Sequence, residues 1–251
     1  AIAPLPVPPS GYLFTGSTGT YTPISGTAVT LGATDDGFTG NLPIGFSFNY
    51  NGTTSTVFAA SPNGWIQPGQ TSSATSGLFT NGLASNANFI CPLWDDNNMA
   101  GGTIEYLTTG VAPNRILTVQ WTNMHVGGTG STSDPTISMQ ALLFEGSNTI
   151  RFIYGPTSAT LSGTTASIGL SGNVGNFISV TPLSPANTST TSTSAENTGI
   201  STAANFPSGT IYTFARPSAP VTWSPSTFIA GQETSLTPLA TSVTTTIVYT
   251  V

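Results

Sequence analysis

PIGFSFNYNG, residues 43–52, decides the fold. Ile44, Phe46, Phe48 and Tyr50 alternate with Gly45, Ser47 and Asn49, so in an extended chain the four apolar side chains share one face. Asn51-Gly52 closes the run, and both residue types tolerate the positive φ that a two-residue hairpin turn demands. A half-buried strand entering a hairpin is therefore predicted, and the same signature recurs outward from it. Residues 55–60 and 65–66 flank a second Asn-Gly pair, Asn63-Gly64. ANFICPLW (87–94) reads as a buried strand. RILTVQWTNM (115–124) aligns Leu117, Val119 and Trp121, and NTIRFIY (148–154) aligns Ile150, Phe152 and Tyr154. Residues 102–107 place Ile104 with Tyr106, and residues 136–145 place Ile137, Met139, Ala141 and Leu143 together. Period-two alternation repeated at such short spacings predicts an all-β chain folded as an antiparallel β-sandwich. The only helix foreseen is a short one between residues 72 and 84.

Composition narrows the function classes. Only 5% of the 251 residues are charged and the net charge is −6, with three arginines (Arg115, Arg151, Arg216) and no lysine. Nucleic acid and anionic lipid both need cations to displace counterions, so neither is an expected partner. So few charges keep bare copies poorly apart, which suggests a surface covered by neighbouring copies or by glycan. Without lysine, no Lys–Asn isopeptide crosslink can form. A single cysteine, Cys91, excludes an intrachain disulfide and a multi-cysteine metal site. No apolar run is long enough to span a membrane as a helix. The start, AIAPLPVPP (1–9), has neither methionine nor basic residues, which points to a signal peptide already removed and to a secreted, extracellular or cell-surface protein.

Three regions follow. Residues 1–10 form a Pro-rich arm, expected to be extended because four prolines in nine residues exclude a helix. Residues 11–216 form the sandwich, whose low-complexity run 184–208 is expected to be a long Ser/Thr-rich loop on its rim. Residues 217–251 begin as a linker (PSAP) and end in VTTTIVYTV, where Val243, Thr245, Ile247, Tyr249 and Val251 share one face of a β-strand tail. About 30 residues with two or three strands cannot make a sandwich, and an isolated hairpin is marginal in water. The tail is therefore expected to complete itself on another molecule as a donor strand between subunits.

The ordered pieces LPIGFSFNYNG (42–52), SPNGWI (61–66), ICPLWDD (90–96), GTIEY (102–106), APNRILTVQWTN (112–123), MQALLFEGSNTIRFIYG (139–155) and ASIGLSG (166–172) resemble the nidogen-like domain, especially its relatives in secreted surface proteins of the Bacteroidetes group. VTWSP (221–225), with the strand after it, looks like a shortened Ig-like repeat of the same kind of protein. The resemblance implies an extracellular location and adhesive or architectural work, and it brings no catalytic residues.

Candidate chemistry is sparse, and no enzyme is expected. His125 is the only histidine and has no nucleophile elbow beside it, while Cys91 lies in an apolar segment that disfavours a thiolate. Asp35, Asp36, Asp95, Asp96 and Glu105 are the carboxylates available for glycosidase chemistry, but they read better as turn and cap residues. Asp95, Asp96, Asn97 and Asn98 offer four consecutive oxygen donors, with Asp35 and Asp36 as two more, so calcium is the one cofactor to consider. Trp65, Trp94 and Trp121 are expected in the core and Trp223 as an anchor in the tail. Asn51 and Asn187 begin N-glycosylation-type sequons, and Thr188, Ser189, Thr190 and Thr191 are O-glycan candidates. The expected role is a structural subunit of an extracellular filament or assembly, a homopolymer of the chain. The alternative is a monomeric adhesin that binds glycan or a host surface through loops near residues 95–98 and 71–86.

Overall fold

The computed structural model describes residues 8–158, 165–200 and 207–217. Along the chain run β1 (Leu13–Thr18), β2 (Thr27–Ala28), β3 (Thr39–Tyr50), β4 (Thr53–Ala60), β5 (Ile66–Pro68), β6 (Ile90–Trp94) and β7 (Thr103–Thr109). They are followed by β8 (Ile116–His125), β9 (Thr136–Phe144), β10 (Ile150–Thr157), β11 (Ser167–Ser171), β12 (Phe177–Thr181), β13 (Thr190–Ser192) and β14 (Thr210–Ala215). They form two seven-stranded sheets, in the orders β1-β14-β10-β9-β8-β7-β2 and β13-β12-β11-β6-β5-β4-β3. The named pairings are antiparallel, and the sheets pack face to face as the expected sandwich.

The deciding stretch behaves as its pattern demands. Ile44, Phe46, Phe48 and Tyr50 are buried, and Asn51 (φ 48°) with Gly52 (φ 81°) turns β3 into β4. Each such aliphatic or aromatic side chain contributes about 1.5–3 kcal/mol by leaving water. Buried polar groups cross between the sheets. The Trp121 indole on β8 donates to Ser61 O at 2.8 Å, and the Tyr154 hydroxyl on β10 donates to Pro92 O on β6 at 2.5 Å. These bonds satisfy ring donors that would otherwise be stranded in the core.

The second sheet is covered on its outer face too. Ile90 and Leu93 of β6 join the main core, while Cys91 and Trp94 join a separate cluster with Trp65, Leu83, Phe89 and Phe177. The cover is the segment between β5 and β6, which explains why ICPLW is buried throughout rather than alternating. No helix forms in residues 72–84. Ala74 instead bridges to Phe38, and Leu78 takes φ +61° with its carbonyl accepting from Asn63 Nδ2, Trp65 Nε1 and Trp94 Nε1. Two glycines among serines and threonines make this stretch a poor helix, and the two indoles hold it open.

Two further regions show more local structure than their composition announces. Of the arm expected over residues 1–10, residues 1–7 lie outside the described residues, Pro8 is extended, and residues 9–11 form a 3₁₀ turn with Pro9 buried and Ser10 N donating to Asn176 Oδ1 at 3.2 Å. Proline fits the first helical turn because its missing N–H is not needed there. The run 184–208 is more than a rim loop, because it supplies a turn (Ala186–Thr188), the margin strand β13, and buried Ala186 and Ile200. Backbone pairing gives this polar run the order its side chains cannot. The chain divides into the units Ala1–Arg216 and Pro217–Val251. Trp223 and the patterned residues Val243, Thr245, Ile247, Tyr249 and Val251 lie outside the described residues.

Candidate functional site

The acidic run after β6 is divided by the fold. Asp95 is buried, and its carboxylate accepts from Thr165 N at 3.0 Å, Thr165 Oγ1 at 3.1 Å and Asp96 N at 3.0 Å. Asn97 is fully buried. Its amide donates to Leu93 O at 2.9 Å while its Oδ1 accepts from Gly127 N at 3.1 Å. Asn98 donates to Asp35 Oδ1 at 2.9 Å and accepts from Ala100 N at 2.7 Å. These three side chains therefore fasten turns, the role that Asx residues take through local hydrogen bonds. Of the two aspartates in the run, Asp96 joins Asp35 and Asp36, with one oxygen from each carboxylate within 4.8 Å of the others.

The donors that reach that cluster are neutral amides, Asn98 on Asp35 and Asn63 on Asp36. Burial, and then the charges of Asp36, Asp35 and Asp95, push the Asp96 carboxyl above its ordinary range. The three arginines are engaged elsewhere: Arg115 with Glu145, Arg151 over the Phe144 ring, and Arg216 with Asn49. Three carboxylates form a hard-oxygen set of the kind calcium prefers, and they supply at most six of the six to eight oxygens that ion takes. The cluster adjoins the loop over the second sheet, because the Asn63 amide reaches both Asp36 Oδ1 (3.2 Å) and Leu78 O (3.4 Å). Phe79, the next residue, is 44% exposed.

The nucleophile candidates lie apart. Cys91 is sealed in the outer cluster, where burial pushes its thiol well above the ordinary range. His125 is buried at the end of β8 with Nε2 2.9 Å from Ala100 O. Glu105 sits on β7 opposite Gln120.

Of the glycosylation candidates, Asn51 engages its amide with Asn88 Oδ1 (2.8 Å) and Asn173 Oδ1 (3.2 Å). Ser189 is half-buried between Leu183 and the Tyr212 hydroxyl. Asn187, Thr188, Thr190 and Thr191 are exposed on the side of the sandwich that carries β13.

The sheet margins differ sharply, and sequence reasoning did not find this. β3 ends the second sheet, and its backbone is capped from the first. Thr108 Oγ1 of β7 donates to Ile44 O at 2.7 Å, Arg115 Nη1 donates to Gly45 O at 2.6 Å, and Asn49 N donates to Asn148 Oδ1 at 2.7 Å. Arg115 is itself gripped by Glu145 in a bidentate pair, Nε to Oε2 at 2.8 Å and Nη2 to Oε1 at 2.5 Å. β2 and β13 are only two and three residues long. β1 is six residues long and uncharged, and no described group hydrogen-bonds to its outer backbone. The missed signal was modest: Phe14 alone supplies its apolar face.

Comparison with known proteins gives one match. A family model described as NIDO related matches residues 11–216. No curated protein and no solved structure matches the chain. Among the described residues no helix is long and apolar enough to cross a membrane, which says nothing of β-barrels.

Proposed function

The chain belongs to the NIDO-related family, and on that premise we propose that it is a structural subunit of an extracellular or cell-surface assembly whose copies join by β-strand addition through residues 217–251. The observation that supports this reading is that the described residues alone supply two seven-stranded sheets and a filled core. That core is filled by residues from Tyr12 to Phe214, and each sheet has seven strands drawn from the same span. The segment 243–251 carries an amphipathic strand pattern of its own, which needs a β partner. An apolar strand with an unpaired edge is an aggregation hazard unless something covers it, and a neighbouring copy resolves this by extending a sheet. Repetition of the step gives an open head-to-tail polymer.

Sedimentation and electron microscopy test the reading. Deleting residues 217–251, or placing Ile247→Lys in the full chain, abolishes filaments and leaves monomer. Filaments that persist in both variants would sink it. A monomer at all concentrations, binding glycan in a chelator-sensitive way, would instead support the second reading. That reading is an adhesin using the Asp35, Asp36 and Asp96 cluster beside exposed Phe79.

A further inference from the structure

We propose that β1 is the acceptor: the segment 243–251 of a second copy adds to its outer edge and extends the first sheet by one strand. This rests on the assembly reading above and names the surface on which that assembly is built.

The argument begins with backbone direction. Gly19 N donates to Gly209 O at 2.8 Å, and these two residues continue the register in which Leu13 pairs with Ala215 and Thr18 with Thr210. Successive residues of a strand alternate the side on which they bond. Leu13, Thr15 and Ser17 therefore bond inward to β14, and Phe14, Gly16 and Thr18 direct their N–H and C=O groups away from it. No described backbone group hydrogen-bonds to them, and the turn at Ala186 packs against Gly16 without doing so.

Elimination then favours this margin. A donor strand of about nine residues gains little from β2 or β13, because each offers only two or three residues of ladder. β3 is long enough but departs from β4 in a bulge between Pro43 and Phe48, and the carbonyls of Ile44 and Gly45 are already taken. β1 has no proline, no charge and no bulge against β14, and the turn Ala186–Thr188 is the element that packs against it, at Gly16.

The faces match as well. Phe14 lies half-buried against the rings of Tyr212 and Phe214, each 5.4 Å away, while Leu13, Thr15 and Ser17 face solvent. An incoming strand would set Val243, Thr245, Ile247, Tyr249 and Val251 on the Phe14 side and Thr244, Thr246, Val248 and Thr250 on the Thr15 side. Between residues 217 and 251 the only charged residue is Glu233, so no like charge opposes docking on an uncharged edge. β14 ends opposite the start of β1, with Ala215 paired to Leu13. The 25 residues from 218 to 242 give the tail reach to the next copy.

The test uses the full chain. Thr15→Cys is combined with a second cysteine at each position from 243 to 251 in turn, and the products are oxidised and sized under denaturing conditions. The native Cys91 is fully buried and does not compete. The expected result is a ladder of crosslinked multimers at the even tail positions and none at the odd ones. Thr18→Pro, which removes an outward N–H and no bond to β14, should raise the concentration needed for assembly about tenfold, the worth of one lost ladder hydrogen bond.

If tail variants lose assembly but β1 variants keep it and no crosslink forms, β1 is not the acceptor and the assembly reading survives. Crosslinks that stay within one chain at monomer mass would overturn docking between copies. Assembly that survives tail deletion would sink the parent reading and this one together.

Discussion

The two long sheet margins of this sandwich solve the same problem differently. β3 presents twelve residues at the edge of one sheet and is closed by a bulge, by proline and by side chains reaching across from the other sheet. β1 presents six residues at the edge of the opposite sheet and carries none of these devices. A margin that is protected by several independent means is one where pairing with another chain would be harmful. A margin left bare in the same molecule is one where pairing is tolerated or used.

The contrast can be broken at the core beneath each margin, where the largest effects lie. Phe48 on β3 is fully buried, so Phe48→Ala should cost about 3–5 kcal/mol in chemical denaturation. Phe14 on β1 is only half-buried, and Phe14→Ala should cost clearly less in the monomer while weakening assembly more. Equal losses of stability would mean that β1 is as much a sealed part of the body as β3.

A smaller effect tests the capping itself. Asn148 takes φ +50° and accepts the Asn49 amide, so Asn148→Gly keeps the backbone conformation and removes the cap, together with the local bond from Asn148 Nδ2 to Gly146 O (3.2 Å). It should cost about 1–3 kcal/mol, the penalty for a donor left without its partner, and should raise hydrogen exchange at the Asn49 amide. No change at either readout would show that the cap on β3 is incidental.

How much of this was legible follows from which interactions leave a periodic trace. β3 could be read directly, because Ile44, Phe46, Phe48 and Tyr50 repeat with the strand's own period. β6 could be read as buried, but the reason, a covering segment that brings Leu83 and Phe89 onto Cys91 and Trp94, could not. β1 was silent because LFTGST has one inward aromatic and then Gly16, where a Cβ would come within 2.0 Å of Ala186 O. That need for glycine is set by a residue 170 positions away. The acidic site was half legible. Asp35, Asp36 and Asp96 do come together, yet the run Asp95, Asp96, Asn97 and Asn98 is divided by partners as distant as Thr165 and Asn63. Polar contacts of that range obey geometry rather than sequence spacing.

The smallest prediction separates the margins by acidity. The Arg115 guanidinium holds the Glu145 carboxyl below its ordinary range, so the folded state binds that proton less tightly than the unfolded chain does. The pair's contribution is complete above the usual carboxylate range and is lost as pH falls through the lowered value. Asp96 has the opposite sign. Its raised carboxyl leaves a penalty at neutral pH that is relieved as acid protonates it. β1 contains no titratable side chain. On acidification, therefore, the Arg115 amide, which donates to Glu145 Oε2 at 3.0 Å, should lose hydrogen-exchange protection by a few-fold after correction for intrinsic rate. The inward-bonded amides of Leu13, Thr15 and Ser17 should not follow it. Glu145→Gln should remove the acid dependence at Arg115 without touching β1. Parallel loss of protection at both margins in wild type would mean that acid loosens the whole sandwich and that the seal on β3 is not a separate device.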